Sequence, residues 1–176
     1  MTEVDPLLGD GDATGAAGTD AFRAAMGRLP AGVVVVAARW RGADHAMTAS
    51  AVTSVSLEPP KLLFCVHTDA RLREALDDVD TWAISVLADD QGPVADWLSS
   101  PGRPVVGQLD RVPHVRAPRS GAAWVTGAAA WLECRTAQVV PAGDHDVVIG
   151  DVLEAREGDA GVGSLVHLRR RTRGLR

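Results

Sequence analysis

The sequence predicts a mainly β domain: a barrel of short antiparallel strands with a few short helices attached. Three observations carry this expectation. Apolar and β-branched runs of strand length recur along the chain, each closed by Gly, Pro or Asp. The first of these runs lie too close together for the long crossovers that parallel pairing needs. Helical signals are confined to a few short stretches, with no internal repeat and no second hydrophobic core.

Each element follows in order. Residues 1–19 are acidic and Gly/Ala-rich and read as a flexible tail, which leaves 20–176 as one folded domain. Asp20 is placed as the cap of a helix, AFRAAMGRL, that Pro30 and Gly32 end. GVVVVAARW (32–40) is a buried strand. MTASAVTSVSL (47–57) is expected as one further strand. Thr48, Ser50, Ser54 and Ser56 would share one face with Val52, and Ala49, Ala51, Val55 and Leu57 the other with Thr53. Glu58, Pro59 and Pro60 break it. KLLFCVH (61–67) is the next strand, and Asp69 is expected to cap a helix over ARLREAL (70–76). TWAISVLA (81–88) is a strand, and 92–97 a helical turn or two. Residues 99–120, rich in Pro, Gly and Arg, form an irregular excursion, and one so long is either functional or disordered. AAWVTGAAAWLECRTAQVV (122–140) makes one or two strands, DVVIGDVLEA (146–155) another, and SLVHLRRR (164–171) the last.

Composition narrows the function. A net charge of -5 and an aromatic content of 4% without tyrosine argue against a nucleic-acid binder, which needs a basic face and stacking platforms. No apolar run reaches the roughly 18 residues that span a bilayer. The acidic start lacks the pattern of a signal peptide, and Cys65 and Cys134 form no CxxC pair. A cytoplasmic protein with free thiols, without membrane contact, is expected.

The hydroxyl-bearing stretch 47–57 is the most informative. Neutral hydroxyls with backbone N–H groups can hold a phosphate, and the small Ala49 and Ala51 let a flat ring approach the backbone. The same pattern also suits a solvent-facing strand side. His145 follows a Gly143 turn at a strand entrance, where it can face a pocket or simply cap a surface turn. No His or Cys spacing points to a metal, and no GxGxxG, P-loop or GxSxG motif occurs.

FRAAMGRLPAGVVVV, MTASAVTSVSLEPPKLLFCV, WAISVLADDQ and PAGDHDVVIGDV stand in an order and spacing that resemble the flavin reductase family, over about residues 22–171. The likeness is nearest to the short reductase components of two-component flavin-dependent monooxygenases, including those of antibiotic pathways. It implies a Greek-key, FMN-binding split β-barrel and a homodimer with flavin near the subunit interface. It implies reduction of FMN or FAD by hydride transfer from NADH or NADPH, with reduced flavin passing to a partner monooxygenase. Carried over residue by residue, Met47, Thr48, Ala49, Ser50 and Ala51 would line the flavin ring. Ser54, Val55 and Ser56 would approach the ribityl phosphate, and Cys65, His67, Thr68 and Ala70 would edge the ring. His145 would sit by the nicotinamide as the catalytic candidate. The chain departs from the family at Ala46, where Gly is common, and at Arg103 and Pro104, where Arg-Phe-Ala is usual. Two other readings stand beside this one: a split-barrel protein that carries flavin or haem without turnover, and an oxidase of the pyridoxamine-phosphate type, for which only Lys61 is near as a phosphate clamp.

Overall fold

In the computed structural model, which describes residues 18–104 and 106–175, the β-branched run after Gly32 is buried on both faces. Helix α1 (Thr19–Met26) and the two-residue β1 (Ala31–Gly32) precede it. Strand β2 (Val34–Trp40) sends Val34, Val36 and Ala38 to one apolar cluster. Val35 and Ala37, with the preceding Val33, go to another. This is the alternation of a pleated strand held between two layers. β2 turns back into β3 (Ala43–Ala49) through Arg41 and Gly42, both with positive φ.

β4 (Val52–Leu57) and β5 (Pro60–His67) form a second hairpin, followed by α2 (Arg71–Asp78), β6 (Thr81–Val86) and α3 (Gly92–Ser99). The short pair β7 (His114–Arg116) and β8 (Ala123–Val125) leads into the long hairpin β9 (Ala130–Ala142) and β10 (His145–Glu157). β11 (Ser164–Leu168) and β12 (Arg171–Leu175) close the chain.

Seven strands make the main sheet in the order β3-β2-β6-β9-β10-β5-β4, each neighbouring pair antiparallel. Its two edge strands, β3 and β4, are consecutive in sequence and joined only by Ser50 and Ala51. The sheet edges therefore converge at this corner, and the sheet curls into a barrel split between β3 and β4. The Ala51 carbonyl accepts a hydrogen bond of 3.0 Å from the Cys65 N–H and ties the corner to β5. Phe64, Val66, Trp82, Ile84 and Val148 meet the β2 side chains inside the barrel, and Leu72 and Leu76 of α2 pack on them. Burying each such side chain contributes about 1.5–3 kcal/mol. Phe64 meets Trp82 edge to face, centroids 4.8 Å apart. A Cβ on Gly150 would lie 2.5 Å from the Trp82 ring, so this glycine makes room for the indole.

The second cluster covers the outer face of β2 with Leu98 of α3 and with Leu109, Val112 and Trp124. The excursion 99–120 is thus a packed layer. Glu133 of β9, fully buried, holds it by accepting hydrogen bonds from the Ser120 N–H (2.7 Å), the Ser120 hydroxyl (2.6 Å) and the Arg119 N–H (3.1 Å).

Several expectations are corrected. Residues 47–57 are not one strand: β3 ends at Ala49 and β4 begins at Val52, because a barrel corner intervenes, and a bulge between Ser54 and Ser56 breaks the alternation again. The two halves lie on opposite sheet edges, so β2 to β5 form two separate hairpins. Helix α1 ends at Met26, and Asp20 sits in its first turn rather than at the cap, which is Gly18. Ala70, not Asp69, is the N-cap of α2, without a side-chain cap. The last segment is a hairpin that turns at Arg169 and Arg170, where one strand over 164–171 was expected. The expected tail falls on residues 1–17, outside the described residues, and on the first residues of α1.

Candidate functional site

The corner at Ser50 and Ala51 sets the site. Where the barrel splits, the β3 edge faces α3 and the excursion, and a cleft of about 350 Å³ opens there. Met47, Thr48 and Ala70 line it together with His45, Arg103 and Gln108. The Arg103 guanidinium donates to the Ala46 carbonyl (2.8 Å) and the Ser100 carbonyl (3.2 Å), and the Gln108 side-chain oxygen accepts from the Ala46 N–H (3.2 Å). The Thr48 hydroxyl donates to the Ala95 carbonyl (2.7 Å) and fixes the strand against α3.

Two buried side-chain nitrogens have no hydrogen-bond partner among the described residues: His45 Nδ1 and Arg103 Nε. Both belong to this one cleft. Buried polar atoms are nearly always paired, so two orphans in one cleft mark a place for polar atoms from elsewhere. Burial, with the Arg71 guanidinium nearby, pushes the His45 pKa down and favours the neutral ring. Burial also lowers the Arg103 pKa from its ordinary value, though a guanidinium stays charged at neutral pH.

The cleft runs on. Thr48 and Ser99 are shared with a second cleft of about 610 Å³, bordered by Ser50, His167, Arg170 and Arg171. Ser50 and His167 are shared with a third, more apolar groove against Met26, Leu29, Ala51 and Cys65. Of the expected site residues, Met47, Thr48, Ala49, Ser50, Ala51, Cys65 and Ala70 thus line three clefts that share wall residues.

The others lie elsewhere on the chain. His67 and His145 face one another across β5 and β10, rings edge to face with centroids 5.2 Å apart. His145 Nδ1 is 2.7 Å from an Asp144 carboxylate oxygen, and that hydrogen bond holds the Asp144 carboxyl below the usual carboxylate range. The His67 ring nitrogen accepts from the Asp69 N–H (3.1 Å). Thr68 joins this corner through its N–H to the Asp144 carbonyl (3.1 Å). Ser54 and Val55 are exposed on the edge strand β4, while the Ser56 hydroxyl accepts from the Glu58 N–H (3.3 Å). Cys65, His67, His145 and Val147 share the outward face of β5 and β10. Lys61 is ion-paired with Asp151 on that face, which occupies the lysine that a pyridoxamine-phosphate reading would need. No group of three or more metal-ligating side chains occurs among the described residues.

Sequence reasoning did not single out His45, Arg103, Gln108 or His167. Arg103 and Gln108 lie in the excursion, whose length was a signal of function that named no residue. His45 and His167 are lone histidines on strands, and only the tertiary fold brings them to these clefts.

The flavin reductase like domain family matches residues 26–176. An NADH-dependent FAD reductase of Streptomyces globisporus is 39% identical over 146 residues, 82% of this chain and 79% of the relative. The reductase component of 4-hydroxyphenylacetate 3-monooxygenase from Thermus thermophilus is 36% identical over 142 residues, 81% of this chain and 87% of the relative. Among solved structures, BorF, the flavin reductase component of a bacterial two-component tryptophan halogenase, superposes with a TM-score of 0.84 at 38% identity, covering 90% of this chain and 98% of BorF. The match spans nearly every described element, and on that ground the chain belongs to the flavin reductase like domain family.

Proposed function

We propose that the chain is an NADH-dependent flavin reductase that reduces FMN or FAD and supplies the reduced flavin to a separate flavin-dependent monooxygenase. The observation that carries this reading is the cleft at the β3 edge. Met47 and Thr48 of its wall lie beside two unpartnered buried nitrogens, on His45 and Arg103. Polar side chains of this kind fit the polar edge of a flavin ring. A bound flavin supplies the redox chemistry, as the acceptor of a hydride from the nicotinamide and the carrier of the electrons onward.

The chain's own residues bind, orient and exclude water. His45 and Arg103 hold the ring edge, Thr48 and the Arg103 contacts to Ala46 keep β3 rigid, and α3 with the excursion closes the cleft on one side. Ser54, Val55 and Ser56 on β4, across the corner from β3, approach the ribityl phosphate, and Cys65, His67, Thr68 and Ala70 flank the ring. His145 orients the nicotinamide. The hydride step itself needs no strong acid or base, in keeping with a cleft built of hydroxyls, amides and a neutral histidine.

The working form is a homodimer in the cytoplasm. Phe22, Met26 and Leu29 on and after α1, and Val55 and Leu57 on β4, are large apolar side chains left exposed (Leu57 at 87%), and a second copy would cover them. The two free thiols, Cys65 and Cys134, suit a reducing compartment. Among the described residues no helix is long and apolar enough to cross a membrane. Steady-state NADH oxidation that depends on added FMN or FAD is the test; oxidation absent with both flavins would overturn the reading.

A further inference from the structure

The β11–β12 hairpin is built against its own backbone preference. Leu168 pairs with Arg171, so the turn has two central residues, and both are arginines with positive φ: Arg169 at 52° and Arg170 at 62°. That pattern normally takes Asn-Gly, because a side chain at positive φ is strained. Strain that persists at a surface turn points to a role for the side chains placed there. The turn is docked rather than loose, since the Arg169 N–H donates to the Gly27 carbonyl (2.9 Å).

Charge sharpens the point. The whole chain carries a net charge of -5, yet Arg28, Arg169, Arg170, Arg171 and Arg173 gather around this turn. None of the five takes part in an ion pair among the described residues. Two clefts flank the turn. Arg170 and Arg171 border the one that continues from the flavin cleft through Thr48 and Ser99. Arg28, Arg169 and Arg173 border the other, of about 370 Å³, which meets the apolar groove at Pro30. A ligand lying along these clefts with its ring at His45 and Arg103 would bring its far end to these arginines.

We propose that this turn is a phosphate clamp for an adenine dinucleotide, with Arg28, Arg169 and Arg173 engaging the phosphate nearer the adenosine. The proposal rests on the reductase reading and extends it. A pyrophosphate fits because cation-lined clefts flank the turn, guanidinium groups bind phosphate oxygens in pairs, and the two negative charges relieve the crowding of unpaired arginines. FAD and NADH both carry this group, and FMN does not. The clamp would therefore set the choice of FAD over FMN, or the grip on NADH.

The test uses Arg169→Gly and Arg173→Gln in the full chain. Glycine accepts positive φ freely, so Arg169→Gly removes a charge while relieving the turn, and its melting temperature should not fall. FMN and FAD affinities are read by flavin fluorescence titration, and the KM for NADH with FMN as acceptor. Either of two results supports the clamp. FAD binding weakens by about tenfold with FMN binding unchanged, the size of losing one charge-assisted contact, which assigns the site to FAD. Alternatively the KM for NADH rises by a similar factor with both flavin affinities unchanged, which assigns it to the nicotinamide cofactor. Unchanged FAD, FMN and NADH values in both variants would overturn the proposal, as would an equal loss of FMN and FAD binding. NADH oxidation by the unaltered protein with added FMN or FAD tests the reductase reading separately, so the two failures are distinguishable.

Discussion

His145 and His67 meet at the open end of β5 and β10, each held by a local contact: the Asp144 carboxylate for one ring, the Asp69 N–H for the other. His145 has 43% of its side chain exposed, so its ion pair with Asp144 contributes little to stability. As a positioning residue for the nicotinamide, His145→Ala is expected to lower the rate of flavin reduction by about tenfold to a hundredfold, while flavin affinity stays close to that of the unaltered protein. Stopped-flow reduction paired with a flavin titration checks this. An unchanged reduction rate at saturating NADH, with a lower melting temperature, would make His145 a turn residue only. Cys134 illustrates the opposite case: burial pushes its thiol up to about 12, and it serves as a barrel side chain.

At the scale of elements, strand and helix positions were legible where one period dominates. GVVVVAARW, KLLFCVH and TWAISVLA are β2, β5 and β6 to within a few residues, because buried strands are continuous apolar runs. What could not be read was set by tertiary geometry. The break at Ser50 and Ala51 has no Gly or Pro to announce it; it exists because the barrel must turn a corner between its two edges. The hairpin at Arg169 and Arg170 lacks turn chemistry altogether, so it read as strand. The packing of the excursion was hidden because its anchor, Glu133, lies on a different element and looks like one more charge in a strand. The hydroxyl pattern drew attention to Met47 to Ala51, which line the clefts by α3 and the barrel corner, whereas His45, Arg103 and Gln108 gain meaning only from being brought together. Glu133→Ala strands three backbone and hydroxyl donors in a buried place and should destabilise the fold by about 3 kcal/mol, with the excursion loosened. Denaturant unfolding measures the first effect and hydrogen exchange over 106–122 the second; a loss below about 1 kcal/mol with full protection would show that the apolar layer alone holds the excursion.

For the whole molecule, one monomer leaves Phe22, Met26, Leu29, Val55 and Leu57 uncovered, and it leaves His67, Thr68 and His145, with Ser54, Val55 and Ser56, outside the clefts that Met47 to Ala51, Cys65 and Ala70 line. A second copy that covers the apolar side chains would complete both the surface and the site. Sedimentation at micromolar concentration is expected to give a dimer, and a monomer there would require the single chain to hold flavin unaided. This barrel, split at Ser50 and Ala51, is proposed to bring flavin and NADH together. The most direct measurement is NADH consumption by the purified full chain with FMN, with FAD and with neither. The account predicts consumption that is negligible without flavin and rises to saturation with at least one of the two. NADH left unconsumed in the presence of both, by protein that is folded and binds flavin, would contradict it.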